Sequence, residues 1–351
     1  MQENLCNISE FICGAILGFL IQYFSRQVHI FLELALDWVN ILNSTAFDFI
    51  AHMFWGREFD EQEFCTRRNA LIKFVEWLRK TEDIKGATIS SVEIPCEMNK
   101  DLQLKLYFVS PNQLQNQKKP VLVYIHPGGY VMGNFKWFKH TCELLSQAGF
   151  FVVYVEYFLC PEYKHPYQVN NMKQALEYIT SHKDEYNIDI NNIVLFGQSA
   201  GATFLSPAVM MHRNLHMPGT IKGVIILYGV VPGGTNFSSF MKYRSGFGTN
   251  FHQVVILNSI LYNKTEELYE MYKDYYALTT DFHDYPPFYI VASEHDPLRD
   301  TVLNFVKNMK SQNVPVQIRI AKDTVHGNLY YGTEGNKVLG ELLDVAKQWT
   351  Q

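Results

Sequence analysis

A serine held between glycines, Gly197-Gln198-Ser199-Ala200-Gly201, is the arrangement that lets a hydroxyl stand clear of its own backbone and reach a carbonyl carbon. The apolar run Ile193-Val194-Leu195-Phe196 precedes it, and residues able to open a helix follow. Strand, sharp turn and helix with a serine at the apex form a nucleophile elbow. A serine hydroxyl is a weak nucleophile near neutral pH, so it needs a base, an acid to hold that base, and donors for the oxyanion. Asp296, in Ser293-Glu294-His295-Asp296-Pro297-Leu298, directly follows an apolar run ending at Ala292 and is the candidate acid. Glu294 is its nearest rival, and Asp300, one helical turn on, is expected to cap a helix or brace the loop. His326, in Thr324-Val325-His326-Gly327-Asn328, is the candidate base. Of the twelve histidines it alone lies beyond the acid and past the final strand. Read singly, each residue has a plainer explanation, such as a Gly-rich turn or a surface histidine.

The oxyanion donors are expected from two places. One is the backbone N–H of Ala200, directly after the serine. The other is the loop His126-Pro127-Gly128-Gly129-Tyr130, which follows the apolar run Val121 to Ile125. Pro127 has no N–H to give, so the useful amides are those of Gly128 and Gly129, where no side chain blocks the approach.

The elements that must position these groups are legible as alternation. Ile89 to Pro95 and Leu102 to Ser110 read as an antiparallel pair at a sheet edge. Val121–Ile125, Phe150–Val155, Ile193–Phe196, Ile221–Tyr228, Phe288–Ala292 and Val316–Ile320 read as buried strands. Between them lie helical segments over Phe135–Ala148, Tyr167–His182 and Leu298–Gln312, with a last one over Glu334–Gln351. This pattern predicts an α/β fold with a mostly parallel sheet and helices on both faces. In such sheets the reacting groups gather at the carboxyl ends of strands, and the chain order Ser, Asp, His is the one this architecture uses.

The chain has 351 residues, 47% of them hydrophobic, enough for one large domain or a domain plus a lid. A net charge of −5 with dispersed Lys and Arg argues against a nucleic-acid partner. Six scattered cysteines show no metal-ligand spacing and no dense disulfide framework. Residues 1 to 86 read as an N-terminal helical region. Within it, residues 11–24 (FICGAILGFLIQYF) form an uncharged run, and Arg67–Lys80 has the pattern of an amphipathic helix. Three readings compete for residues 11–24: a lid or interfacial helix, a membrane anchor, or a signal peptide. The last lacks a basic leader and an obvious cleavage site. An aromatic-rich insertion follows the strand Ile221–Tyr228.

Together HPGGY, GQSAG, DPLRD and a late His-Gly resemble the hormone-sensitive lipase-like branch of the α/β-hydrolases, which includes arylacetamide deacetylase-type esterases. Tyr157-Phe158-Leu159-Cys160-Pro161-Glu162, followed by Pro166, is similar to that branch's YRLAPE…P stretch. The resemblance covers roughly residues 87 to 351. It implies an α/β-hydrolase fold of about eight strands, with Ser199, Asp296 and His326 as a triad. It also implies oxyanion amides at Gly128, Gly129 and Ala200, and loop support from His126 and Glu162. A helical cap would come from residues 1–86 and from an insertion at about 230–283 within the 87–351 domain. The sequence departs from the branch's pattern at Pro127, at Gln198 (usually Asp or Thr), at Phe158 (usually Arg) and at Asn328.

These residues lead to an expected serine carboxylesterase or deacetylase that acts on a small-molecule ester without cofactor or metal. The alternatives are a non-catalytic ligand receptor on the same fold, which would tend to lose the histidine, and a membrane-anchored lipid-ester hydrolase. Localisation is accordingly cytoplasmic or membrane-associated, according to what residues 11–24 do.

Overall fold

The buried strands follow from their composition: Val121 to Ile125 is apolar at every position but for the Tyr124 hydroxyl, so both faces must be covered. The computed structural model describes residues 86–112, 117–229, 238–243, 260–261, 282–327 and 332–351, with seven helical positions between 62 and 73. The apolar run 11–24, nearly all of the N-terminal region 1–86, most of the helix expected over Arg67–Lys80 and most of the insertion at about 230–283 lie outside the described residues.

Eight strands make one sheet: β1 (Ala87–Pro95), β2 (Gln103–Pro111), β3 (Lys119–Ile125), β4 (Phe151–Glu156), β5 (Ile188–Gln198), β6 (Ile221–Leu227), β7 (Phe288–Ser293) and β8 (Val316–Ala321). Their spatial order is β1-β2-β4-β3-β5-β6-β7-β8. The β1–β2 and β2–β4 pairs are antiparallel, and every pair from β4–β3 to β7–β8 is parallel. The edge hairpin and the parallel core therefore fall where the alternation places them.

Successive residues of a strand point to opposite faces, and the core divides accordingly. Val121, Val123 and Ile125 of β3 join one apolar cluster, while Leu122 and Tyr124 join the other. On the first face lie α2 (Tyr167–Ser181), α3 (Leu205–Asn214) and α5 (Arg299–Ser311), through residues such as Met172, Ala208 and Phe305. On the second lie α1 (Phe135–Gln147) and α6 (Gly332–Thr350), through Cys142, Leu145, Val338 and Leu342. The short helix α4 (Ser238–Lys242) belongs to the insertion. Cys65, Cys96, Cys142 and Cys160 form no disulfide. Among the described residues no helix is long and apolar enough to cross a membrane.

One element differs from the sequence reading in a way that matters. β5 starts five residues before the expected Ile193, and its register against β6 shifts between Ile193 and Val194. Asp189 explains why the polar stretch hides strand: its carboxylate accepts from the Asn191 amide at 3.0 Å and the Asn192 side chain at 2.8 Å. An aspartate that bonds its own neighbouring backbone gives a turn-like sequence signal inside an extended segment.

Candidate active site

β5 ends at Gln198, and a six-residue 3-10 helix, Ser199–Phe204, leads into α3. Ser199 sits at that junction with φ +46°, a left-handed conformation that a non-glycine residue seldom holds, and it is nearly buried. The turn is possible because of what stands behind it. A Cβ at Gly201 would overlap the carbonyls of Ile125 and His126, so only glycine lets the elbow press against the loop that leaves β3.

The two partners arrive from strands further along the sheet, beyond β6. Asp296 follows β7 and His326 follows β8. Ser199 Oγ lies 2.7 Å from His326 Nε2, and His326 Nδ1 lies 2.8 Å from Asp296 Oδ2. With Nδ1–H donating to the carboxylate, Nε2 is left as an acceptor facing the serine hydroxyl. The other oxygen of Asp296 accepts from the Leu298 amide at 2.8 Å, which fixes the carboxylate plane at the mouth of α5. Asp296 is buried, and the His326 side chain is 9% exposed, so the acid is sheltered while the base stays within reach of a small molecule.

The rivals are held elsewhere. Glu294 accepts from the Asp323 amide at 3.0 Å and faces Lys322. His295 turns toward Tyr243 and Asp323. Glu294, His295 and Asp323 bring one ligand atom each within 4.8 Å of one another, but the carboxylate is already engaged by these protein donors. Asp300 braces the insertion: its carboxylate accepts from the Ser238 hydroxyl at 2.7 Å and the Ser239 amide at 2.9 Å, at the start of α4.

The loop after β3 is ordered by its own turn. The amides of Val131 and Met132 both donate to the Gly128 carbonyl. Gly128 has φ +131°, and a Cβ there would overlap the Met132 carbonyl. Among the described turns and loops, neither the Gly128 nor the Gly129 N–H donates to a backbone carbonyl. His126 is buried beneath this loop. Its Nδ1 lies 2.7 Å from the Pro127 carbonyl, and its ring stacks on Tyr157 at 4.2 Å. Burial lowers its pKa to about 4, against the weaker opposing pull of the Pro127 hydrogen bond, so the ring is neutral and Nδ1–H donates to that carbonyl.

Glu162 is held by Arg68. Its carboxylate makes a two-pronged contact with Arg68, at 2.7 and 2.6 Å. Arg68 also donates to the Cys160 carbonyl at 3.0 Å, and the Cys160 amide donates to the Tyr130 carbonyl at 2.9 Å. Glu162 therefore reaches the loop at two removes, and Arg68 supplies the cation that Phe158 does not. Phe158 instead packs on Tyr163 at 4.9 Å. The sequence reading places Arg68 on a helix and Tyr228 at a strand end but assigns neither a part in the site. A guanidinium on an amphipathic helix reads as a solvated face, and the last residue of an apolar strand reads as core. Tyr228 nevertheless places its ring 5.1 Å from that of His326.

A serine elbow, an acid and a base after the carboxyl ends of β5, β7 and β8 of a largely parallel sheet define a hydrolase fold, and the comparisons with known proteins agree. Residues 122–329 match the model of the alpha/beta hydrolase fold family. A protein of Acanthamoeba polyphaga mimivirus named for that fold is 28% identical over 221 residues, 59% of this chain and 60% of its own length. The chain thus spans about three fifths of that relative. The acetyl esterase of Salmonella enteritidis PT4 is 24% identical over 253 residues, covering 71% of this chain and 76% of that enzyme. Among solved structures, a bacterial heroin esterase superposes with a TM-score of 0.74 at 23% identity, covering 83% of this chain and 92% of that one. The chain belongs to the α/β-hydrolase family, in its hormone-sensitive lipase-like branch. Several of its relatives are named as acetyl esterases, which supports an ester-hydrolysing enzyme.

Proposed function

We propose that the protein is a serine carboxylesterase that cleaves small to medium apolar esters through an acyl-enzyme. The observation that carries this reading is the continuous chain from Ser199 Oγ through His326 to Asp296, with both contacts under 3 Å. Ser199 attacks the ester carbonyl as His326 Nε2 takes its proton, and Asp296 holds the tautomer and balances the imidazolium. The negative charge that develops on the carbonyl oxygen is met by the amides of Gly128, Gly129 and Ala200. His326 then hands the proton to the leaving alcohol. Water repeats the sequence on the acyl-enzyme and returns the free acid. Each step uses only these side chains and amides.

The test is a p-nitrophenyl ester series of increasing acyl length, run on the wild type and on Ser199→Ala. The wild type should hydrolyse the short members, and Ser199→Ala should lose about 10⁴-fold or more in turnover. Turnover that survives the substitution would assign the chemistry to another residue.

A further inference from the structure

Gln198 immediately precedes the candidate nucleophile and stands where the branch usually has Asp or Thr. Strand alternation turns its side chain to the face opposite Leu195 and Gly197, into the cluster that holds Val194, Phe196 and Tyr124. It is fully buried, and its Oε1 accepts from the Tyr228 hydroxyl at 3.0 Å. Burying a glutamine amide is costly where its polar atoms lack partners; Nε2 has none among the described residues, so the Tyr228 hydroxyl is what satisfies and orients this side chain.

Tyr228 is fixed from three sides. Its hydroxyl is held by Gln198, next to the elbow. Its amide donates to the Val291 carbonyl of β7 at 2.7 Å, on the strand that leads to Asp296. Its backbone has φ +37°, a left-handed conformation that a bulky residue keeps only when its surroundings enforce it. The ring so held meets the His326 imidazole edge-on, 5.1 Å between centroids and 72° between planes. That is within the favourable range for a T-shaped aromatic pair.

We infer that Gln198 and Tyr228 are positioning residues for His326: the hydrogen bond sets the phenol, and the phenol ring sets the imidazole between Ser199 and Asp296. The inference rests on the reading of His326 as the base. Neither residue touches the reacting atoms. Their effect comes from restricting the swing of a ring that must stay aligned with Ser199 Oγ and Asp296 Oδ2 at once, where small misplacements are costly in rate.

The test uses the full chain with p-nitrophenyl acetate, and reads kcat, KM and the rate of labelling by diisopropyl fluorophosphate. Tyr228→Leu should lower kcat about tenfold or more, and Tyr228→Phe and Gln198→Leu each about threefold, with KM within about twofold throughout. Labelling should slow in parallel, because it too needs the base. The double variant Gln198→Leu/Tyr228→Phe should match the worse single variant rather than the product of the two, the signature of one shared contact. Unchanged kcat in Tyr228→Leu, losses carried by KM alone, or losses that multiply in the double variant would each overturn the inference. Should Tyr228→Leu fail to fold, the two milder variants, which keep side-chain volume, decide the matter by the same criteria. Ser199→Ala runs alongside: if it retains turnover the proposed function itself fails, whereas an inactive Ser199→Ala beside a normal Tyr228→Leu removes only the positioning pair.

Discussion

At the scale of single residues, the site depends on places where a side chain is forbidden as much as on the side chains present. Gly201 is the sharpest case, because its missing Cβ is the space in which the elbow meets the Ile125 and His126 carbonyls. Gly201→Ala should force the two loops apart, cost about 2 kcal/mol of stability, and lower kcat at least about 100-fold. A denaturation curve and a steady-state assay on the same preparation check both figures, and a near-normal kcat would show that the elbow and the neighbouring loop need not touch. Ser199, Asp296 and His326 are legible in the sequence because each lies within a few residues of the end of an apolar run and because their order is that of the architecture. Tyr228 is not legible. Nothing in a sequence says that the tyrosine ending one strand will find a glutamine on another, since that pairing is created by the sheet order.

At the scale of elements, the strands and the described helices agree with the sequence to within a few residues, because fully buried strands and amphipathic helices advertise themselves by periodicity. The polar start of β5 hides for the local reason given by Asp189. The contact between position 68 and the turn Cys160–Glu162 hides for a different one: it joins segments 92 and 94 residues apart. Burial alone would raise the Glu162 carboxyl pKa, but the Arg68 guanidinium outweighs it and holds the group below its ordinary value. The two halves of this pair are unequal, since the Arg68 side chain is 6% exposed and that of Glu162 39%. Glu162→Leu strands a buried cation and should cost about 2 to 3 kcal/mol, whereas Arg68→Met leaves a carboxylate that water can reach and should cost about 1 kcal/mol. Urea midpoints for the two variants measure the asymmetry. Equal losses would mean that Arg68 is hydrated in solution.

At the scale of the whole molecule, acid should act first through histidines that the fold keeps neutral. His126 and His165 are both pushed by burial from 6.5 to about 4. In the unfolded chain each takes up a proton near pH 6.5, while the native chain refuses it until about pH 4. The unfolded state therefore binds more protons in that interval, and stability falls as the pH drops through it. Above about pH 6.5 this contribution is fully present, and below about pH 4 its loss is complete. Each ring contributes a slope of roughly 1.4 kcal/mol per pH unit across the window. Thermal unfolding between pH 7.5 and 4 should show the decline, and His165→Phe should make it shallower; an unchanged slope would mean that this imidazole is solvated in the native state.

The sheet order has a further consequence for how the molecule comes into being. The hydroxyl and the imidazole that meet across 2.7 Å are 127 residues apart along the chain, and the strands that deliver them are separated in the sheet by β6 and β7. No short contiguous fragment contains the chemistry, and no early hairpin or local helix pair can rehearse it. Completed topology and the serine–histidine–aspartate juxtaposition are acquired together, so an unfinished molecule lacks the arrangement on which the proposed chemistry depends.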